Sequence, residues 1–139
     1  MTQVLIVEND EGNRFALHQM LVLQGHDVIS VASGAAALNL LPTLPPGIVV
    51  LDYRMPVING GDVMRFIAAD AMLRRCHAVI LVTASPHELP PATHALLTLL
   101  EAPLLSKPFI IDTLAESITV ATRRLQAHGC LPGPCESEQ

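Results

Sequence analysis

The sequence predicts one α/β domain in which helices cover both faces of a five-stranded parallel sheet. Two observations carry that prediction. Short apolar runs alternate with segments of helical periodicity five times along the chain, and β-then-α units in succession imply parallel strands joined by right-handed crossovers. No repeat, low-complexity block or internal linker interrupts the alternation, and 139 residues are enough for one domain with a real core.

The elements follow in order. Val4-Leu5-Ile6-Val7 carries a first strand over 3–7, and Phe15, Leu17, Leu21 and Val22 recur at helical spacing within 12–24. Strand 27–31 is partly polar, as an edge strand would be, and Ser33 is an N-cap for a helix over 33–41. The run Gly47-Ile48-Val49-Val50-Leu51 is a buried strand, followed by a helix over 61–70 and a strand over 78–82. Pro90-Pro91 confines itself to the first turn of a helix over 89–100. A strand over 103–106 and a helix over 111–127 complete the domain, 1–127. From His128 to Gln139 the Gly- and Pro-bearing chain is expected to be a flexible tail.

Half the residues are apolar and 15% are charged, which excludes general disorder. Aromatic residues are scarce, so Leu, Val, Ile and Ala must build the core. A net charge of −5 argues against a nucleic-acid surface, which needs a basic patch. Arg74-Arg75 and Arg123-Arg124 fall near predicted helix ends, where they complement the helix dipole or meet solvent. With a strand under way by residue 4, a signal peptide is not expected, and no apolar run has the length of a membrane span. Three cysteines, an odd number, lead to the expectation of reduced thiols in a cytoplasmic protein.

The chemistry gathers at strand ends. Asp52 follows a buried strand directly, and a carboxylate there is costly unless cations or donors meet it. Glu8-Asn9-Asp10 ends the first strand, Thr83 the fourth and Lys107-Pro108 the fifth. Ligands of such sheets bind beyond the carboxyl ends of the strands. This set suits phosphoryl transfer to a carboxylate: Asp52 as nucleophile, Lys107 and Thr83 on phosphoryl oxygens, and Mg²⁺ between Glu8 and Asp52. Asp10, Glu11 and Asp62 read as helix N-terminal charges, and the six histidines lack metal-ligand spacing.

Over residues 3–125 the chain resembles the response-regulator receiver domains of two-component signalling. The resemblance rests on Val7-Glu8-Asn9-Asp10, Leu51-Asp52-Tyr53-Arg54-Met55-Pro56, Val82-Thr83-Ala84 and Ser106-Lys107-Pro108-Phe109, with Met55-Pro56-Val57-Ile58-Asn59-Gly60-Gly61 similar to the family's Met-Pro-x-x-x-Gly loop. It implies a flavodoxin-like fold with strand order 2-1-3-4-5. It also implies phosphorylation of Asp52 by a sensor histidine kinase or a phosphotransfer protein, with the Arg54 carbonyl as a further metal ligand. A cis Lys107-Pro108 bond is implied as well, and small Ala84 would leave the site accessible. The family commonly dimerises or docks partners on the face made by helix 89–100, strand 103–106 and helix 111–127. Leucines Leu96, Leu97, Leu99 and Leu100 outnumber what one buried helix face needs there.

The chain departs from the pattern at Asn9, where a second metal-binding acid is usual, and at Leu104, where an aromatic switch residue is frequent. Asn9 predicts weaker Mg²⁺ binding, and Leu104 puts the Thr–aromatic switch in question. Arg54 and Ser85 would flank the path of a hydrolytic water. The leading expectation is a receiver without an output domain that signals by protein contacts. The alternative is a degenerate receiver, working as a phosphorylation-independent interaction module. A flavin or nucleotide binder is disfavoured because Glu8-Asn9-Asp10-Glu11 would repel phosphate, and no hydrolase triad has motif support.

Overall fold

The computed structural model describes residues 2–131. The elements run β1 (Gln3–Val7), α1 (Glu11–Leu23), β2 (Asp27–Val31), α2 (Gly34–Leu40), β3 (Gly47–Asp52), α3 (Gly60–Ala69), α4 (Ala71–Cys76), β4 (His77–Thr83), α5 (Pro91–Leu100), β5 (Leu104–Ser106) and α6 (Ile111–Ala127). The five strands pair in parallel in the order β2-β1-β3-β4-β5, as the resemblance implies.

Side chains alternate along each strand and so feed two separate cores. Leu5, Val7, Val49, Leu51, Val79 and Leu81 point into the layer closed by α2, α3 and α5. Val4, Ile6, Ile48, Val50, Ile80 and Val82 point into the layer closed by α1 and α6. The central strands β3 and β4 are buried at every position, whereas β2 is half-exposed, as its polar sequence predicts for an edge.

Local chemistry sets the helix starts. Asp10 caps α1 by accepting from the Asn13 amide at 2.8 Å, Ser33 caps α2, and Asn59 with Asp62 forms a reciprocal capping box on α3. Asp10 and Asp62 are therefore helix-terminal charges, as their positions suggest. In α1, only Leu21 of the four spaced apolar residues is fully buried, and Phe15 is exposed. Leu97 and Leu100 are buried, Leu96 packs half-buried, and Leu99 remains exposed on α5.

The sequence reading passes over one helix. Asp70 closes α3 and caps α4 at once, its carboxylate accepting from the Leu73 amide at 3.0 Å. Arg74 reaches back to the Ala68 carbonyl at 3.1 Å, and Arg124 reaches the Glu101 carbonyl at 3.3 Å, so both basic clusters serve helix C-terminal ends.

The cysteine expectation is corrected. Cys76 and Cys130 form a disulfide across 54 residues, with Cα atoms 5.5 Å apart. Cys130 and Leu131 also pack against the α1–α6 core, and the Arg75 guanidinium donates to the His128 carbonyl at 2.8 and 3.2 Å. Residues 128–131, expected in the tail, are thus tied down; Cys135 and the rest of the expected tail lie outside the described residues. No described helix is long and apolar enough to cross a membrane.

Candidate functional site

The sheet register brings the chemistry together. Val7 pairs with Leu51, Asp52 with Val82 and Thr83 with Ser106, so the residues that end β1, β3, β4 and β5 meet at one edge. β1 connects outward to β2 on one side, while β3 lies on its other side, which makes the gap between them a topological switch point. Glu8 and Asp52 flank that gap.

Both carboxylates are buried, Glu8 to 5% and Asp52 to 8% exposure. Lys107 Nζ lies 2.7 Å from Glu8 Oε1 and 3.2 Å from Asp52 Oδ1. Burial pushes the Asp52 carboxyl up to about 6, and the Glu8 charge pushes the same way against the opposing pull of Lys107. Burial alone would lower the Lys107 ammonium. Its hydrogen bond to Glu8 and the two neighbouring charges outweigh this, and its pKa is raised. Two buried acids around one half-buried cation leave the site short of positive charge.

Backbone bonds fix these side chains. The Tyr53 amide donates to the Val82 carbonyl at 2.9 Å, and the Lys107 amide to the Thr83 carbonyl at 2.8 Å. Lys107-Pro108 is cis, as the resemblance implies. Thr83 is buried, and its Oγ1 accepts from the Ser85 amide at 3.1 Å. Gly60 explains the glycine of the loop after β3: a Cβ there would lie 2.8 Å from the Tyr53 Cα and 2.9 Å from the Asp52 carbonyl oxygen. The chain can turn into α3 directly against Asp52 only without a side chain. Before it, Val57 sits at φ 68°, and the Ile58 amide donates to the Pro56 carbonyl at 2.8 Å, closing a three-residue turn.

The remaining expected residues lie around this centre. Asn9 is exposed and does not line the cleft beside Asp52. Arg54 is exposed and pairs with Glu88 at 3.4 Å. Ala84 lies at the cleft rim, Ser85 is half-exposed, and Leu104 packs half-buried against the α3–α5 core. Sequence reasoning missed the Arg54–Glu88 pair, whose members are 34 residues apart. It also missed the cleft itself, a cavity of about 420 Å³ over Glu8, Asp52 and Lys107, walled by Leu17, Met20 and Phe109.

The donor set suits a small divalent cation, which takes one or two carboxylates and completes its shell with water. Glu8 and Asp52 supply two carboxylates within reach of one ammonium, and the Glu8 charge, which adds to burial in raising Asp52, is one such a cation would offset.

Residues 4–119 match the model of the response regulator receiver domain family. AfsQ1, a transcriptional regulatory protein of Streptomyces coelicolor, is 39% identical over 84 residues, which cover 60% of this chain and 36% of that protein. DivK, a polar-differentiation response regulator of Brucella ovis, is 32% identical over 81 residues, covering 58% of this chain and 65% of DivK. The matches thus span from about a third to just under two thirds of the relatives' length. A crystal structure of a CheY-like receiver domain protein from Methanospirillum hungatei superposes with a TM-score of 0.78 at 30% identity, covering 90% of this chain and 97% of that one. TrrA of Thermotoga maritima, solved with Mg²⁺ and BeF, shares the fold at a TM-score of 0.75 and 24% identity, covering 87% and 99% of the two chains.

Proposed function

Because this chain belongs to the response regulator receiver domain family, we propose that Asp52 accepts a phosphoryl group from a phosphohistidine of a sensor histidine kinase or phosphotransfer protein. A carboxylate oxygen of Asp52 attacks phosphorus as the phosphorus–nitrogen bond breaks, and the donor imidazole leaves with the electron pair and takes up a proton. Lys107 holds a phosphoryl oxygen by charge, the Thr83 hydroxyl donates to another, and Ala84 leaves the approach open. Glu8, Asp52 and the Arg54 carbonyl would hold Mg²⁺, with Asn9 in the place of a second acid. When bound, Mg²⁺ neutralises phosphoryl oxygens as charge develops.

One observation supports this reading above the others. Asp52 and Glu8 are buried at adjoining strand ends, with Lys107 in contact with both. A capping aspartate would be satisfied by backbone amides and would need neither the second carboxylate nor the lysine. Output then runs through protein contacts, with no output domain required. The face formed by α5, β5 and α6, where Leu99 and Val120 are exposed, is the proposed surface for a partner or a second copy.

The test is incubation with Mg²⁺ and an acyl-phosphate donor, followed by intact mass measurement. The expected result is a gain of one phosphoryl group that Asp52→Asn abolishes. No gain across a wide Mg²⁺ range would overturn the proposal in favour of a phosphorylation-independent interaction module, the reading that Asn9 favours.

A further inference from the structure

We propose that Cys76 and Cys130 form a reversible redox site whose closure clasps residues 128–131 to the start of β4. The site lies at the far end of the strand from Thr83. At the rise of an extended strand, the seven residues of β4 put roughly 20 Å between them, so the proposal stands apart from the phosphoryl chemistry of Asp52.

Three features carry it. The cysteines are 54 residues apart, yet the fold alone brings their Cα atoms to 5.5 Å, within the range a disulfide needs. Both residues are partly exposed, so a small thiol or disulfide can reach them. The Arg75 guanidinium is bonded to the His128 carbonyl at 2.8 and 3.2 Å, beside the segment that carries Cys130. That bond holds the segment, and with it the Cys130 sulfur 3.5 Å from the Arg75 carbonyl, beside Cys76.

The other tethers are non-covalent: Cys130 and Leu131 pack half-buried on the α1–α6 core, and the Arg75 guanidinium holds the His128 carbonyl. The His128 ring nitrogen meets the Arg75 carbonyl at 3.1 Å, and the Gly129 and Cys130 amides donate to Gln126 and Leu125 at 3.0 and 2.9 Å. Such contacts of a half-exposed segment beyond a helix open more readily than a covalent bond breaks, so the disulfide decides whether the segment stays. Closure needs an oxidant, here a low-molecular-weight disulfide. The Cys130 thiolate attacks it and expels one thiolate. The Cys76 thiolate then attacks the Cys130 sulfur of the mixed disulfide and expels the second. Two protein thiols become one disulfide, one small disulfide becomes two thiols, and the resting state follows the thiol–disulfide poise of the surroundings.

The full chain is equilibrated across a series of oxidised and reduced glutathione, alkylated under denaturing conditions and mapped by mass spectrometry. The expected result is that Cys76 and Cys130 lose reactivity together, in the native chain and in Cys135→Ser alike. Amide exchange at Gly129 and Cys130 should speed up by about tenfold or more on reduction. Pairing of Cys130 with Cys135 while Cys76 stays reactive would overturn the proposal. So would unchanged amide exchange after reduction, or thiols found holding Zn²⁺ instead of pairing.

Discussion

Glu8 and Asp52, at the ends of neighbouring strands, share one cation: Lys107 Nζ approaches Glu8 at 2.7 Å and Asp52 at 3.2 Å. Asp52 is left the poorer partner, and its carboxyl rises from 3.8 to about 6 through burial first and the Glu8 charge second. A carboxyl whose pKa is higher in the folded state opposes folding when ionised. The penalty is absent below about pH 4, grows through about pH 4–6 and is constant above that. Asp52→Asn should therefore stabilise the metal-free protein by about 1–3 kcal/mol at neutral pH and lose that advantage near pH 3. Denaturant unfolding of both proteins across pH measures it, and an Asn variant less stable at neutral pH would contradict the site's charge balance.

Removing the cation has the opposite sign. Lys107→Met leaves two buried carboxylates facing each other, and should cost about 2–4 kcal/mol at neutral pH. Added Mg²⁺ should recover much of that loss if it binds the same carboxylates, as proposed. The check is thermal or urea unfolding with and without Mg²⁺. A variant as stable as the parent and indifferent to Mg²⁺ would mean that Lys107 does not hold the pair together.

Much of this centre is legible in the sequence, because each group ends an apolar run and the strand pattern fixes which end of the sheet it occupies. Asp52, Thr83 and Lys107 need only the parallel alternation to be placed at one edge. The helix α4 is not legible: of its six residues Ala71–Cys76 only Leu73 is buried, too few for a helical stripe. Nor are Arg54–Glu88 and Cys76–Cys130, since contacts across 34 and 54 residues leave no local periodicity. Phe15 is the reverse case: its spacing fits a buried face, yet α1 lies so that Leu21 alone is fully enclosed.

The proposed metal site offers a gain-of-function test. Asn9→Asp adds a negative charge next to Glu8 in the chain, and attraction to a dication should tighten Mg²⁺ binding by about tenfold or more. Titration calorimetry or Mg²⁺-dependent stabilisation reads this directly. Unchanged affinity would place residue 9 outside the coordination sphere.

Arg54 and Glu88 pair at 3.4 Å with both side chains largely exposed. Such a pair contributes at most about 0.5 kcal/mol to stability, so Arg54→Ala should leave unfolding nearly unchanged. Its expected effect is on the lifetime of the proposed phosphoryl group on Asp52, which should change several-fold as the cation two residues along is lost. Following loss of label after removal of the donor checks it. An unaltered lifetime would leave the pair as surface charge only.

The seven buried residues of β4 send alternate side chains into both cores, so a slip of one residue would exchange the two sets. The strand is in effect a fixed ruler with Thr83 at its last mark. An event at that mark has no room to travel back along the ruler and must leave sideways, through the connections around it. Those connections are mostly rim, anchored to the core by Met55 and Leu89, and their exposed residues can drift without disturbing what the ruler measures. A scaffold divided in this way can acquire new listeners while its chemistry stays as it is.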